Sequence, residues 1–588
     1  MKKVVGRELL TTILREATPP DLRIVGRTLA HAAIVGAAAG LMGAAFFATL
    51  ELVQRLVLED LGGYRPLRAS GETFLPEIGH LAHFRPWLLV LLPAVGALAA
   101  GIFSQLAPET YGGGGDAMIE AFHHRDGNIR KRVVWVKAIS SIFTLGTGGS
   151  GGREGPTMQI GGALGALCAR LLRVDVAERR ILMVAGVAAG IAAVFRTPLG
   201  AALLAVEVLY RDDFESDALV PAVLASVTAY SVVISIFGET TLFAHPGRFP
   251  FVIKHLPLYG LLALLVSMLA VAFVSTLRGV QKMTAGLTIP LWARPGLGGL
   301  AMGVFCVPII VVVGWKLGQP GQGLGLLGGG YGAVQVAITG ASWLPLGWTG
   351  AVLLLFLCLA KIMSSSLTIG SGGSAGDFAP ALVIGGLFGG AFGRVAQLLL
   401  HDPRIDPGAF ALVAMGTFYG GISHTPLSSL VLVCELAGSY DLLVPLMLAE
   451  GIAFVALRNR SLYTAQVKSQ RESPVHKADV TADVLTTTRV GAIMRMVSVS
   501  GIPIAARGFS VRADADLRTA AKMMLSNKLR EIQVIDADGQ VIGLLDEAEI
   551  SRCYLDAAER PDPAAAGPDE GAAAAAPPTA APEPTTKP

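Results

Sequence analysis

Two short segments hold residues whose types and spacing could do chemistry: Gly152-Arg-Glu-Gly-Pro156 and Gly376-Asp-Phe-Ala-Pro380, each ahead of an apolar run. Proline suits the start of a helix, and glycine permits a break before it. Amides left exposed at such a break, together with the positive end of the helix dipole, form an anion site that needs no full positive charge. A lysine in the same place would hold an anion too tightly for rapid throughput, whereas amides release it. Glu154, a carboxylate among those amides, competes with an anion when ionised and stops competing when protonated. Taken singly, the glycines could serve only close helix packing and Glu154 could be a helix cap.

The elements that carry these segments repeat. Ile160-Gly-Gly162 follows the first segment and Ile384-Gly-Gly386 follows the second at the same spacing. Thr197-Pro-Leu199 leads to Val206-Glu207 as Thr425-Pro-Leu427 leads to Val433-Cys-Glu435, again about 220 residues on. One duplication explains both pairs, and such repeats place an ion site where the halves meet near the bilayer midplane.

The surroundings are lipid. Of 588 residues, 52% are hydrophobic and 15% charged, a balance no soluble domain of this size is expected to show. Several apolar stretches between 28 and 458 reach the roughly 20 residues that cross hydrocarbon. Others, such as Pro156 to Leu172 and Pro426 to Leu436, are half-length or Gly-broken, the pattern of helices that stop inside the protein. Basic residues gather near the N-terminus (Lys2, Lys3, Arg7, Arg15) and after the last span (Arg458, Arg460, Lys468), so both termini are expected to be cytoplasmic. The net charge of +3 says little about partners. Cys168, Cys306, Cys358, Cys434 and Cys553 are too scattered for a disulfide or metal framework. The expected organisation is a cytoplasmic segment over 1–27, a membrane domain over 28–465, a mixed α/β region over 478–558 and a disordered Ala/Pro-rich tail over 559–588.

Gly152-Arg153-Glu154-Gly155-Pro156 resembles the signature of the CLC family of chloride channels and chloride/proton antiporters. The match runs from about residue 30 to 465, with Phe378 and Pro380 in the second anion motif and Tyr463 at the inner-gate tyrosine. The resemblance implies an all-α inverted-repeat fold of broken helices, a homodimer with one pathway per subunit, and no cofactor. It makes Glu154 the external gate and Tyr463 the inner one. Chloride or a similar small anion would sit against the amides of Arg153, Glu154, Gly155, Asp377, Phe378 and Ala379, with the Tyr463 hydroxyl below. Two residues depart from the pattern. Gly113 stands where a serine hydroxyl usually binds the central anion, which leaves selectivity among chloride, bromide and nitrate open. Asp377 replaces an apolar residue, and its side chain either points away from the anion or repels it.

Residues 489 to 556 resemble a single CBS motif, a module that normally works in pairs. At its nucleotide positions stand Asp546 and Glu549, and Asp546 would repel phosphate. A structural or dimerising role is therefore expected over nucleotide sensing. An intramembrane serine hydrolase is the competing class, because Gly-x-Ser-x-Gly occurs around Ser150 and Ser374, but no strand precedes either serine. A membrane-anchored ligand sensor is a third reading.

Within the family, the inner proton-relay acid falls at Val208, directly after Glu207. Valine carries no proton, so this position predicts a passive channel influenced by voltage or pH, with the chloride/proton antiporter as the alternative if Glu207 or a water chain substitutes.

Overall fold

The computed structural model describes residues 20–72, 83–244, 247–249, 252–476, 488–496, 509–527, 529–550 and 552–553. Two compact units divide at Gln470. The disordered-tail expectation and most of the N-terminal segment fall outside the described residues. Residues 20–27 do not form a separate segment, because they already belong to the first helix.

Sixteen helices among the described residues build the first unit. The first half runs α1 (Pro20–Gln54), α2 (Pro86–Ser104), α3 (Gly115–His124), α4 (Arg132–Gly146), α5 (Glu154–Leu171), α6 (Val176–Phe195), α7 (Pro198–Glu207) and α8 (Ser216–Phe237). The second half runs α9 (Leu256–Ala285), α10 (Arg294–Lys316), α11 (Tyr331–Thr339), α12 (Gly347–Gly370), α13 (Phe378–Leu400), α14 (Pro407–Ser423), α15 (Pro426–Ala437) and α16 (Leu443–Ala456). Seven helical segments among the described residues are long and apolar enough to cross a membrane. With the family placement given below, the chain is an integral, multi-pass membrane protein. Trp87, Trp315 and Trp348 stand exposed at helix ends, where aromatic rings suit the lipid headgroup level.

Glycine sets the central packing, and it does so twice. A Cβ on Gly161 of α5 would collide with the Gly186 carbonyl of α6, and one on Gly165 with the Leu182 carbonyl. At the repeat-related positions, Gly385 and Gly389 of α13 lie against the Ala414 and Phe410 carbonyls of α14. Without a hydrophobic drive between helices in lipid, such backbone contact is what holds a pair together. These pairs are buried nearly all round, whereas α2, α9 and α10 leave apolar faces such as Val95, Met268 and Val304 exposed.

The half-length helices α7 and α15, of 10 and 12 residues, end inside the protein. Each is capped by the other. Glu207 at the end of α7 accepts the Leu427 and Ser428 N–H groups at the start of α15 at 3.0 and 2.8 Å. Glu435 of α15 accepts the Leu199 and Gly200 N–H groups of α7 at 3.2 and 2.8 Å. Amides with no water to turn to are thus matched to carboxylates across the repeat axis.

The second unit holds α17 (Val490–Ile493), β1 (Arg495–Met496), β2 (Ser510–Arg512), α18 (Leu517–Ser526), β3 (Glu531–Ile535) and β4 (Val541–Asp546). Its sheet has the order β1-β4-β3-β2, with β2 and β3 parallel and the other pairs antiparallel. Asp516 opens α18 by accepting the Thr519 N–H at 2.6 Å, and its bonds to Thr519 hold its carboxyl below the usual carboxylate range.

A Gly161→Ala substitution should cost about 1 to 3 kcal/mol, because the crossing cannot take a methyl group without moving backbone. Thermal unfolding of purified protein in detergent measures it, with Gly451→Ala, whose Cβ would meet nothing within 4 Å among the described residues, as the control expected to cost nothing.

Candidate anion site between two helix ends

The two Gly-rich loops ahead of α5 and α13 meet. Gly152 N–H donates to the Gly376 carbonyl and Gly376 N–H to the Gly152 carbonyl, both at 2.7 Å. Both helices begin two residues earlier than the prolines expected to open them, at Glu154 and Phe378. Each proline therefore takes the third position, where its missing N–H costs nothing. The first intrahelical bonds are Thr157 to Arg153 and Ala381 to Asp377, each 3.1 Å. That leaves the amides of Glu154, Gly155, Phe378 and Ala379 at two open helix ends on either side of the loop pair. Gly155 must be glycine, since a Cβ would strike the Gly113 carbonyl and come within 2.8 Å of Gly376 Cα.

Glu154 is fully buried. Its Oε1 accepts the Tyr331 hydroxyl, and its Oε2 has no hydrogen-bond partner among the described residues. Arg153 Nε stands 3.8 Å from Oε1, while its guanidinium lies over the Phe47 ring at 4.4 Å and near the Tyr331 ring at 5.6 Å. On this face a cavity of about 40 Å³ is lined by Glu51, Arg68, Glu72, Arg153 and Gly328 to Gly330. A far wider vestibule of about 650 Å³ is lined by Gly112 to Asp116, Arg125, Arg130, Arg278, Asp377 and Thr464. The Glu154 side is narrow and the Asp377 side is open.

Tyr463 is buried, and its hydroxyl donates to Asp377 Oδ1 at 3.3 Å and lies 3.4 Å from the Tyr419 hydroxyl. Tyr419 packs edge-on to Phe378 at 4.2 Å, and Phe195 closes the other side at 5.0 Å. Of the two orientations left open by the sequence, Asp377 takes the one facing the pathway: its Oδ2 lies 3.3 Å from where a Gly113 Cβ would stand. Gly113, Glu154, Gly155, Asp377, Phe378, Ala379 and Tyr463 thus come together, whereas the Arg153 side chain turns toward the narrow cavity. Val208 is wholly buried, and its carbonyl accepts Gln466 Nε2 at 2.9 Å. Glu207 is held by its capping bonds and by the Ser428 hydroxyl at 2.7 Å.

Sequence reading passed over four residues here: Tyr331, Tyr419, Lys137 and Lys361. The lysines are wholly buried. Lys137 Nζ donates to the Thr110 and Gly112 carbonyls at 3.1 and 2.7 Å, and Lys361 Nζ donates to the Gly328 carbonyl at 2.8 Å. They brace the loops whose last glycines, Gly114 and Gly330, take φ of +94° and +90° to start α3 and α11. A signal existed, because Lys137 and Lys361 are separated by the same interval as Gly152 and Gly376. The two tyrosines carried no comparable mark.

The serines of the hydrolase reading tie the repeats together. Ser150 Oγ lies 3.0 Å from both Ser364 and Ser365 Oγ, and Ser374 Oγ lies 2.9 Å from Ser141 Oγ. In the second unit Asp546 and Glu549 form a reciprocal cap: Asp546 accepts the Glu549 N–H at 2.7 Å and Glu549 accepts the Asp546 N–H at 2.9 Å. Arg495 pairs with both, at 2.6 and 3.2 Å.

A family model described as voltage gated chloride channel matches residues 95–458. This chain belongs to the CLC family. A CBS domain model matches residues 493–556. The H(+)/Cl(-) exchange transporter ClcA of Vibrio vulnificus is 31% identical over 427 residues, covering 71% of this chain and 83% of that one. The protein of the same name from Salmonella typhi is 30% identical over 424 residues, covering 71% and 82%. Among solved structures, a slow cyanobacterial Cl-/H+ antiporter aligns with a TM-score of 0.61 at 22% identity over 74% of this chain and 96% of that one. A CLC-type fluoride/proton antiporter aligns with a TM-score of 0.60 at 21% identity over 76% and 98%. These structures share the CLC fold.

The relatives correct the passive-channel expectation built on Val208, since they are named exchange transporters. The inference was too narrow physically: one apolar side chain removes one proton-binding position, and other acids, Asp116 and Asp377 among them, line the vestibule.

Tyr331→Phe should raise anion flux at neutral pH, because the hydroxyl helps hold the Glu154 carboxylate in place. Loss of a hydrogen bond to a charged group, worth about 1.5 kcal/mol or more, corresponds to about tenfold. Efflux from liposomes measures it, and an unchanged rate would show that the Tyr331 hydroxyl does not restrain Glu154.

Proposed function

We propose that this protein exchanges chloride for protons across its membrane, with Glu154 as the gate. The observation that carries the reading is the Glu154 carboxylate, buried with one oxygen unpartnered among the described residues, beside the open ends of α5 and α13. Ionised, it occupies a place built for an anion. Protonated, it gives that place up, and the same group moves a proton as it moves out of the anion's way. Chloride rests against the amides of Glu154, Gly155, Phe378 and Ala379, with Arg153 and Asp377 amides beside them, and Tyr463 closes the inner side. The names of the relatives support coupling over passive flow.

The vestibule side and both termini are cytoplasmic on this reading, in keeping with the basic flanks of the membrane domain. The protein works as a homodimer. Helices α7 and α15, only about 15 to 18 Å long at 1.5 Å per residue, expose Leu199 and Leu427 beside their first turns, and polar helix ends at membrane depth need a protein cover. The CBS region is structural or dimerising, because Asp546 and Glu549 are engaged by each other and by Arg495.

Two measurements test this. In a planar bilayer under a fixed chloride gradient, a pH gradient should displace the reversal potential. Reversal at the chloride equilibrium potential whatever the pH would defeat exchange. Above the titration range of Glu154, wild-type flux should fall about tenfold per unit rise of pH on the narrow-cavity face, as the protonated fraction does. Glu154→Gln should be flat there, and a retained response would remove Glu154 as that sensor.

A further inference from the structure

Exchange requires a proton route between Glu154 and the vestibule, and a titratable side chain on that route would serve it. Val208 cannot supply it, and both Glu207 oxygens are committed to the start of α15. Glu450, buried against Ser429, is not among the vestibule-lining residues. Asp377 differs from all three, being a part-buried carboxylate that lines the vestibule.

The two departures from the family pattern meet at this carboxylate. Without a side chain at Gly113, space opens beside the pathway, and Asp377 Oδ2 fills it, 3.3 Å from the absent Cβ. Oδ1 accepts the Tyr463 hydroxyl at 3.3 Å. A serine at 113 would crowd the carboxylate, so Gly113 and Asp377 form one arrangement in which a hydroxyl donor has been exchanged for an acid. The charged and titratable groups facing it are Lys137 from α4, Asp116 from α3, Tyr463 from the segment after α16 and Tyr419 from α14. Farther out, the vestibule wall carries Glu109, Glu120, Arg125, Arg130 and Arg278. Lys137 is pinned to two carbonyls, so it offers Asp377 a nearby cation without closing a direct ion pair.

We propose that Asp377 is the inner proton carrier and inner anion gate of this protein, doing from the vestibule side what Glu154 does from the other. This rests on the exchange reading. Ionised, the carboxylate sits between Gly113 and Tyr463 and repels chloride from the vestibule. A proton from vestibule water binds an Asp377 oxygen, the charge is lost, and chloride is admitted beside Tyr463. The proton then passes to the Glu154 carboxylate, leaving Asp377 ionised and Glu154 neutral; only O–H bonds form and break.

Chloride-driven proton uptake by liposomes holding the full chain tests the proposal. Wild-type protein should move protons, Asp377→Asn should lose at least about tenfold of that movement per chloride carried, and Asp377→Glu should restore most of it. Asp377→Val, an apolar residue of similar volume, serves if the Asn variant fails to assemble. Wild-type coupling with an unaltered ratio in the Asn or Val variant overturns this inference and leaves exchange standing. Wild-type flux without proton movement overturns exchange and this inference together. A second measurement leaves position 377 untouched: bilayer currents through Glu154→Gln should still rise as the vestibule face alone is acidified, and a flat response on that face overturns the proposal.

Discussion

The structure depends on the pair of backbone hydrogen bonds between Gly152 and Gly376. They hold two helix N-termini against each other inside a membrane, an arrangement that is unfavourable by itself. The two positive dipole ends repel, and amides there have no bulk water to bond. Negative charge between the ends, such as that of the Glu154 carboxylate, stabilises the arrangement. The geometry therefore favours a negative charge there. Arg153 Nε lies 3.8 Å from Glu154 Oε1, whereas Lys137 and Lys361 point their ammonium groups at carbonyls of neighbouring loops.

Around that pair the repeats exchange parts. Ser141 with Ser374 and Ser150 with Ser365 are related contacts, as are the Glu207 and Glu435 caps. Each half thus completes polar groups of the other.

Much of this was legible in the sequence, because duplication makes a weak motif strong. The Gly-Arg-Glu-Gly-Pro segment alone is ambiguous, but a copy about 220 residues on fixes which glycines break helices and where the halves meet. Helix over Pro20 to Arg27, ahead of the expected membrane boundary at 28, was not read as part of α1 because Arg23 and Arg27 interrupt its apolar pattern. Tyr331 and Tyr419 could not be found, since a tyrosine in an apolar stretch looks alike whether it fills space or holds a carboxylate. Asp377 was seen but not oriented. Its direction is set by the space at Gly113 and the Tyr463 hydroxyl, which come from two distant parts of the chain. The error over Val208 had the same root: proton transfer needs a path, and one position does not define a path.

The central claim is that anions bind between the open ends of α5 and α13 in competition with the Glu154 carboxylate. Anomalous scattering from bromide in crystals of the wild type and of Glu154→Gln tests it most directly. The account predicts bromide against the amides of Glu154, Gly155, Phe378 and Ala379 in the variant, with that position taken by the carboxylate in the wild type. Bromide bound elsewhere in the variant, with these amides unoccupied, would contradict it.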